Sequence, residues 1–523
     1  MNQSPDLLLL LSDALDQVIV NPTAVHCWHH LISFYHNTDY DLRASVRQHL
    51  MKSTPAEGVA GFLRETFLAR WMADPAHLAE AGRIVQAIEP LDAGRLATFM
   101  MAGWWLAIRE SGNRASFIQT LRSARLPEIA NQLGQHLARS SAVRPVGRNI
   151  SRVDRIAVIV PYISNTDHTP TLIALNQARL LIEQGLNVHL FACQELNVPQ
   201  MAQYMGDGKK ALLISPDSGE LARLLPEGLT VTLSDERFSL MRRWTDMLKL
   251  IAAFDPDVVL FVGLFSPLMT PLYEARPVLG LCIHSVPPVA PMDTWLTAHQ
   301  EFANQGASVW GADLPDAWGF YHPYRIALKP AGAPLAREDI GLPAHARVLV
   351  TAGYRLSDEI NGAWAARMIA LLRQCPDAVW LLVGGTGILP PALEDAPRQQ
   401  LRIIPNHGDL RSVYRCCDIY VNPPRMGGGF SVAEAMAESL PVVTYGDSDG
   451  GHKVGATAVV GEDDYFARLR SLMGDAGLRQ RTGAAMQAHF TNTLDLSQSG
   501  PSLLAACHLA LDRHRERTSR VLS

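Results

Sequence analysis

The sequence predicts an α/β protein with two Rossmann-like domains in tandem, preceded by an all-α domain. Three observations carry this. Over residues 1–140 apolar residues recur at helical spacing and no stretch reads convincingly as a strand. From residue 155 short continuous apolar runs alternate with helical segments. That alternation then begins a second time near residue 345.

In the first part, Leu63, Phe67, Trp71 and Met72 share one helical stripe, and Ala97, Met101, Trp104 and Ile108 another. Asn21-Pro22 and Glu89-Pro90 mark helix boundaries. Antiparallel helical hairpins fit this pattern. A tetratricopeptide-like repeat is one form they could take, but the sequence shows no repeat consensus. Such a domain either contacts a protein partner or acceptor, or serves as a scaffold.

Residues 140–154 are polar, basic and proline-bearing, and read as a linker. The first Rossmann-like domain is expected over 154–330, with buried strands at 156–160, 188–192, 258–262 and 278–283. The second spans 340–490, with strands at 348–351, 379–383, 401–404, 418–422 and 441–445. A final helix at 494–518 is expected to pack back across the domains.

At 523 residues the chain is too long for one core, since cores stop growing near about 250–300 residues. A hydrophobic fraction of 48% with 19% charged residues fits a globular chain and excludes disorder. The formal charge of −5, without a lysine-rich block, gives nucleic acid no electrostatic footprint. Seven scattered cysteines, with Cys416 and Cys417 adjacent and no CxxC spacing, read as reduced core residues. His29-His30 lacks partners at metal-ligand spacing and His322 stands alone, so no metal site is expected. The leucine run at 7–11 has no basic segment before it, and the apolar stretch at 258–273 is broken by Pro267 and Pro271. Neither a signal peptide nor a transmembrane segment is therefore predicted, and the cytoplasm is the expected location.

The densest chemistry lies at 417–436, where a strand enters Gly427-Gly428-Gly429 and a helix follows directly. Glycines let backbone amides approach an anion, and the helix N-terminus adds its positive end. A diphosphate cradle and a plain tight turn both fit. Glu434 has two readings as well. With Ser431 it spells a capping box, and its carboxylate could equally hold a pair of sugar hydroxyls. In the first half, the polar loop at 161–170 leaves the end of the first strand and carries Asp167 and His168. His284 ends another strand. These three are candidate general bases, the two histidines because imidazole titrates near working pH, and Asp293 is a weaker one.

The 417–436 stretch resembles the nucleotide-diphosphate loop of GT-B glycosyltransferases, particularly the group-1 type. There a glycine-rich turn precedes E-A-M and then P-V-V, which here are Glu434-Ala435-Met436 and Pro441-Val442-Val443. The likeness covers roughly residues 155–490. The triple glycine is also similar to the cytoplasmic protein N-glycosyltransferases, which place an all-helical domain before two Rossmann-like ones. The resemblance implies a GT-B fold and transfer of a hexosyl or related sugar from a nucleotide-diphosphate donor, of UDP type. The acceptor would be a protein side chain or a bacterial surface glycan, with no further cofactor and no metal.

By position, Glu434 would contact the donor ribose and Arg355 the diphosphate. Asn361-Gly362 occupies the neighbourhood of the family's lysine, so Lys453 is its best substitute. Arg425 joins the donor-binding set. One departure stands out: the family's second glutamate, eight residues before Glu434, is Met426 here. Retaining or inverting stereochemistry is therefore left open. Alternatives are a nucleotide-sugar epimerase of the same fold and a non-catalytic partner protein.

Overall fold

The computed structural model describes residues 5–88, 92–164, 168–196, 198, 223, 225–284, 286–324, 326–328, 332–384, 387–405, 408–427 and 429–522. Asp167 and Gly428 lie outside the described residues. Two compact units make up the chain. Met1–Glu110, Ile118–Tyr321 and Gly500–Ser523 form one, and Ser111–Phe117 with His322–Ser499 form the other.

The described residues among the first 140 are largely helical, as their periodicity predicts, and Glu89-Pro90 lies outside the described residues. The helices are Pro5–Val20, Val25–Ile32, Tyr40–Ser53, Gly58–Met72, Pro75–Gln86, Ala93–Glu110, Arg114–Ser123 and Leu126–Ser140. Leu63, Phe67 and Trp71 are buried along the central Gly58–Met72 helix. Starts are marked by local chemistry. Asp39 accepts from the Leu42 amide, and Asp74 caps a helix whose first residue is Pro75.

The first unit's sheet is built from β1 (Arg155–Val160), β2 (Asn187–Ala192), β3 (Thr230–Leu233), β4 (Val258–Val262), β5 (Val278–Leu281), β6 (Thr294–Thr297), β7 (Gly306–Ala307) and β8 (Ala317–Tyr321). Their order is β3-β2-β1-β4-β5-β6-β8-β7, parallel except for the β7–β8 pair. The strand order reverses between the parallel neighbours β1 and β4, so the loops after these two strands flank the switch point of a doubly wound sheet.

The segment expected as a linker is held to this sheet. Ile150 and Val153 are buried. Arg148 pairs with Asp255 and Asp257, and the second oxygen of Asp257 accepts the Asp154 and Arg155 amides at 2.8 and 2.7 Å. Helix Leu126–Ser140 packs against helix Met269–Ala275 so closely that a Cβ on Gly134 would lie 2.7 Å from that of Thr270.

The last helix, Gly500–Leu522, lies against helix Thr169–Glu183 and strands β4 to β6. It buries Leu503, Ala506, Cys507 and Ala510. Its latch is Arg517, which donates to the Asp293 carboxylate at 2.9 Å and lies 3.6 Å over the Tyr273 ring. Asp293, read above as a weak base candidate, therefore serves this latch and also accepts the Val278 amide. Burial pushes its carboxyl up to about 6, against the pull of Arg517.

The second unit's sheet holds β9 (Arg347–Ala352), β10 (Ala378–Val383), β11 (Leu401–Ile404), β12 (Ile419–Val421) and β13 (Val442–Val443), in the order β11-β10-β9-β12-β13, all parallel. Both faces are covered. Val348, Val350 and Ala352 enter one core with Tyr420 and Met436, while Leu349 enters the other with Trp364, Trp380 and Tyr465. Such double burial is why these strands read as continuous apolar runs. The switch point here lies between β9 and β12.

Removing the latch should be costly. Arg517→Met strands a carboxylate whose side chain is 1% exposed, and we expect a loss of about 3 kcal/mol in urea unfolding, the lower end for breaking a buried pair.

Candidate active site

Three loops meet at the carboxyl end of the second sheet. They follow β9 (residues 353–355), β12 (422–429) and β13 (444–453). What joins them is Arg425, only 5% exposed. Its Nη1 donates to Glu359 Oε2 at 2.8 Å and to the Ala352 carbonyl at 3.2 Å. Nη2 reaches Ala352 O again, the Tyr420 hydroxyl and Ser431 Oγ. Nε faces Asp449 Oδ2 at 3.4 Å. Burial alone would lower its pKa, but Glu359 and Asp449 outweigh that and hold it firmly charged. The reading of Arg425 as a ligand for the donor thus meets a guanidinium whose donors are turned inward.

Arg355 sits differently. It precedes the short helix Leu356–Glu359, its side chain is 24% exposed, and Nη2 donates to Glu359 Oε1 at 2.6 Å and Met426 O at 2.8 Å. Met426, in the place of the family's glutamate, buries its side chain. Glu359 thus gives one oxygen to each arginine. Burial would raise its carboxyl, but the two guanidiniums hold it below the ordinary range. Asp449 is held from the other side by Asn422 Nδ2 at 2.9 Å.

The glycine turn runs between these groups. A Cβ on Gly427 would lie 2.9 Å from Asp449 Oδ2. Gly429 has φ +61°, the left-handed region that favours glycine, and a Cβ there would lie 2.8 Å from Lys453 Cε. Gly429 is the residue from which helix Phe430–Ala437 starts. This corrects the capping-box reading. Ser431 lies inside the helix, and its hydroxyl accepts from Tyr420 and Arg425. Glu434 is the helix's fifth residue, half-buried one turn in. Lys453, on the short helix Gly451–Val454, is fully buried alongside the turn, with Nζ 3.2 Å from His452 Nε2.

In the first unit, His168 lies after β1, at the switch point. Nε2 contacts the Tyr162 hydroxyl at 3.0 Å, Nδ1 contacts Thr171 Oγ1 at 2.8 Å, and the ring stacks on Tyr162. Burial brings its pKa down to about 4, so it is neutral at physiological pH. His284 is buried, and its Nε2 accepts from Trp104 Nε1 at 2.9 Å, which ties helix Ala93–Glu110 to the loop after β5.

Sequence reasoning passed over Glu359, Asp449 and Asn422. A polar residue ending an apolar strand was the available signal for Asn422. Glu359 and Asp449 carry none, because their partners lie far along the chain.

Residues 346–475 match the family model described as glycosyl transferases group 1. No curated protein matches the chain. Among solved structures it is similar to a point mutant of the O-GlcNAc transferase of Thermobaculum terrenum, at 15% identity and a TM-score of 0.53, covering 98% of this chain and 96% of that one. It is also similar to a glycosyltransferase from Rickettsia africae ESF-5, at 12% identity and a TM-score of 0.42, covering 72% of this chain and 100% of that one. The first likeness shows the fold: helices followed by two Rossmann-like sheets, the GT-B arrangement.

Two measurements probe the site's build. Gly429→Ala should lose more stability than Gly341→Ala. Both residues have positive φ, worth about 1–2 kcal/mol, but Gly341 has open space around it while Gly429 does not. The His168 shift predicts that stability, full above pH 6.5, declines as pH falls from 6.5 to about 4, because the unfolded chain takes up the proton first. Replacing His168 with Asn should flatten that limb of a pH–denaturation curve.

Proposed function

We propose that this chain, which carries a group 1 glycosyltransferase domain over residues 346–475 on a GT-B fold, moves a hexosyl or related sugar from a nucleotide-diphosphate donor of UDP type. The acceptor is a protein side chain or a bacterial surface glycan, and transfer takes place in the cytoplasm without a metal. One observation carries the reading. Arg355, the Gly427 and Gly429 turn and Lys453 converge at the carboxyl end of one parallel sheet, beside its switch point, where doubly wound sheets take their ligands.

The chemistry follows from that placement. An acceptor hydroxyl or amide attacks the anomeric carbon as the bond to the β-phosphate oxygen breaks, and the electron pair leaves with the diphosphate. Arg355, Lys453 and the first amides of helix Phe430–Ala437 stabilise that departing charge. Glu434 holds ribose hydroxyls. His168, neutral and half-buried, is the acceptor-side group that takes the proton the acceptor loses, whereas His284 braces the fold through Trp104. The helical region offers a surface for a protein acceptor.

A thermal-shift panel of uridine, guanosine, thymidine, adenosine and cytidine diphosphates tests the donor class, and UDP should raise the melting temperature most. Glu434→Gln should weaken UDP by about 1.5–3 kcal/mol, the range for hydrogen bonds to charged groups. Unchanged affinity would remove the ribose role.

A further inference from the structure

Glu359 is the group that neither the family match nor the chemistry above assigns. It sits 7% exposed at the end of the helix Leu356–Glu359, directly after β9. Its two oxygens are divided, Oε1 to Arg355 at 2.6 Å and Oε2 to Arg425 at 2.8 Å. The two arginines are not equivalent. Arg425 spends Nη1 and Nη2 on Ala352, Glu359, Tyr420 and Ser431. The hydrogen bonds of Arg355 both run through Nη2, to Glu359 and Met426 O, which leaves Nη1 for a ligand among the described residues.

We propose that Glu359 is a positioning residue for the diphosphate: it anchors one edge of the Arg355 guanidinium against the fixed Arg425, so that the other edge is preset for phosphate oxygens. The inference rests on the nucleotide reading of this site. Its physical content is preorganisation. A free arginine side chain must give up about 2 kcal/mol of rotamer entropy when it binds, and one already held loses less on binding. Glu359 also separates two like charges, and with Asp449 it balances them, two carboxylates to two guanidiniums. Any anion that binds then meets Arg355 without having to displace a disordered side chain.

A double-mutant cycle tests this, with UDP and inorganic pyrophosphate as probes in isothermal titration of the full chain. Glu359→Gln should weaken both probes about tenfold in the wild-type background and less than about twofold in an Arg355→Met background, a coupling within the range of contacting residues. Glu359→Asp, which keeps the charge but is one methylene shorter, serves if Glu359→Gln fails to fold, and should show the same dependence on Arg355. Equal losses in both backgrounds overturn the proposal alone, as does a fall in melting temperature with unchanged affinity. A wild-type protein that binds neither probe overturns the nucleotide reading and this proposal with it.

Discussion

A guanidinium charge cannot sit in a protein interior unless anions and carbonyls surround it, and the second Rossmann-like unit is organised around one that does. Arg425 draws the last carbonyl of β9, a tyrosine on β12, a serine inside the following helix, and two carboxylates, one from a short helix and one from a loop, onto a single group. Each of these partners belongs to a different segment. With that charge satisfied, the loops at the switch point have one arrangement. The glycine turn, Arg355 and Lys453 take their places from it.

The first unit relies on the same device, with the sign reversed. Asp257 collects the amides that begin β1 together with Arg148, and Asp293 collects an amide of β5 together with Arg517 from the last helix. Buried carboxylates thus fasten the segment at 141–154 and the C-terminal helix to one sheet. Both attachments join residues more than 100 positions apart. These buried carboxylates act as long-range fasteners. A charge pair is worth little at a surface, but much where removing one partner strands the other.

Such fasteners explain what could be read in advance. β1, β4, β9, β10 and β12 are buried along almost their whole length, so their apolar runs are visible in the sequence. β3 is half exposed, β6 is Thr-Trp-Leu-Thr, and β7 has two residues, and none of these carries that signature. The final helix begins at Gly500, later than its apolar pattern suggests, because a turn at Leu496–Gln498 intervenes. Ser431 and Glu434 have the spacing of a capping box, but a left-handed Gly429 starts the helix two residues earlier and releases the serine to Arg425. Arg425 was legible as a cation beside a glycine turn. Its inward orientation was not, since Glu359 lies 66 residues away and no local pattern links them.

A structure of the chain with UDP bound would test the central claim most directly. The account predicts the diphosphate beside Gly427 and Gly429, contacted by Arg355 and Lys453, with Arg425 still holding Glu359 and the Ala352 carbonyl. A diphosphate bound to Arg425 in place of Glu359, or bound away from the carboxyl end of β9 and β12, would contradict it.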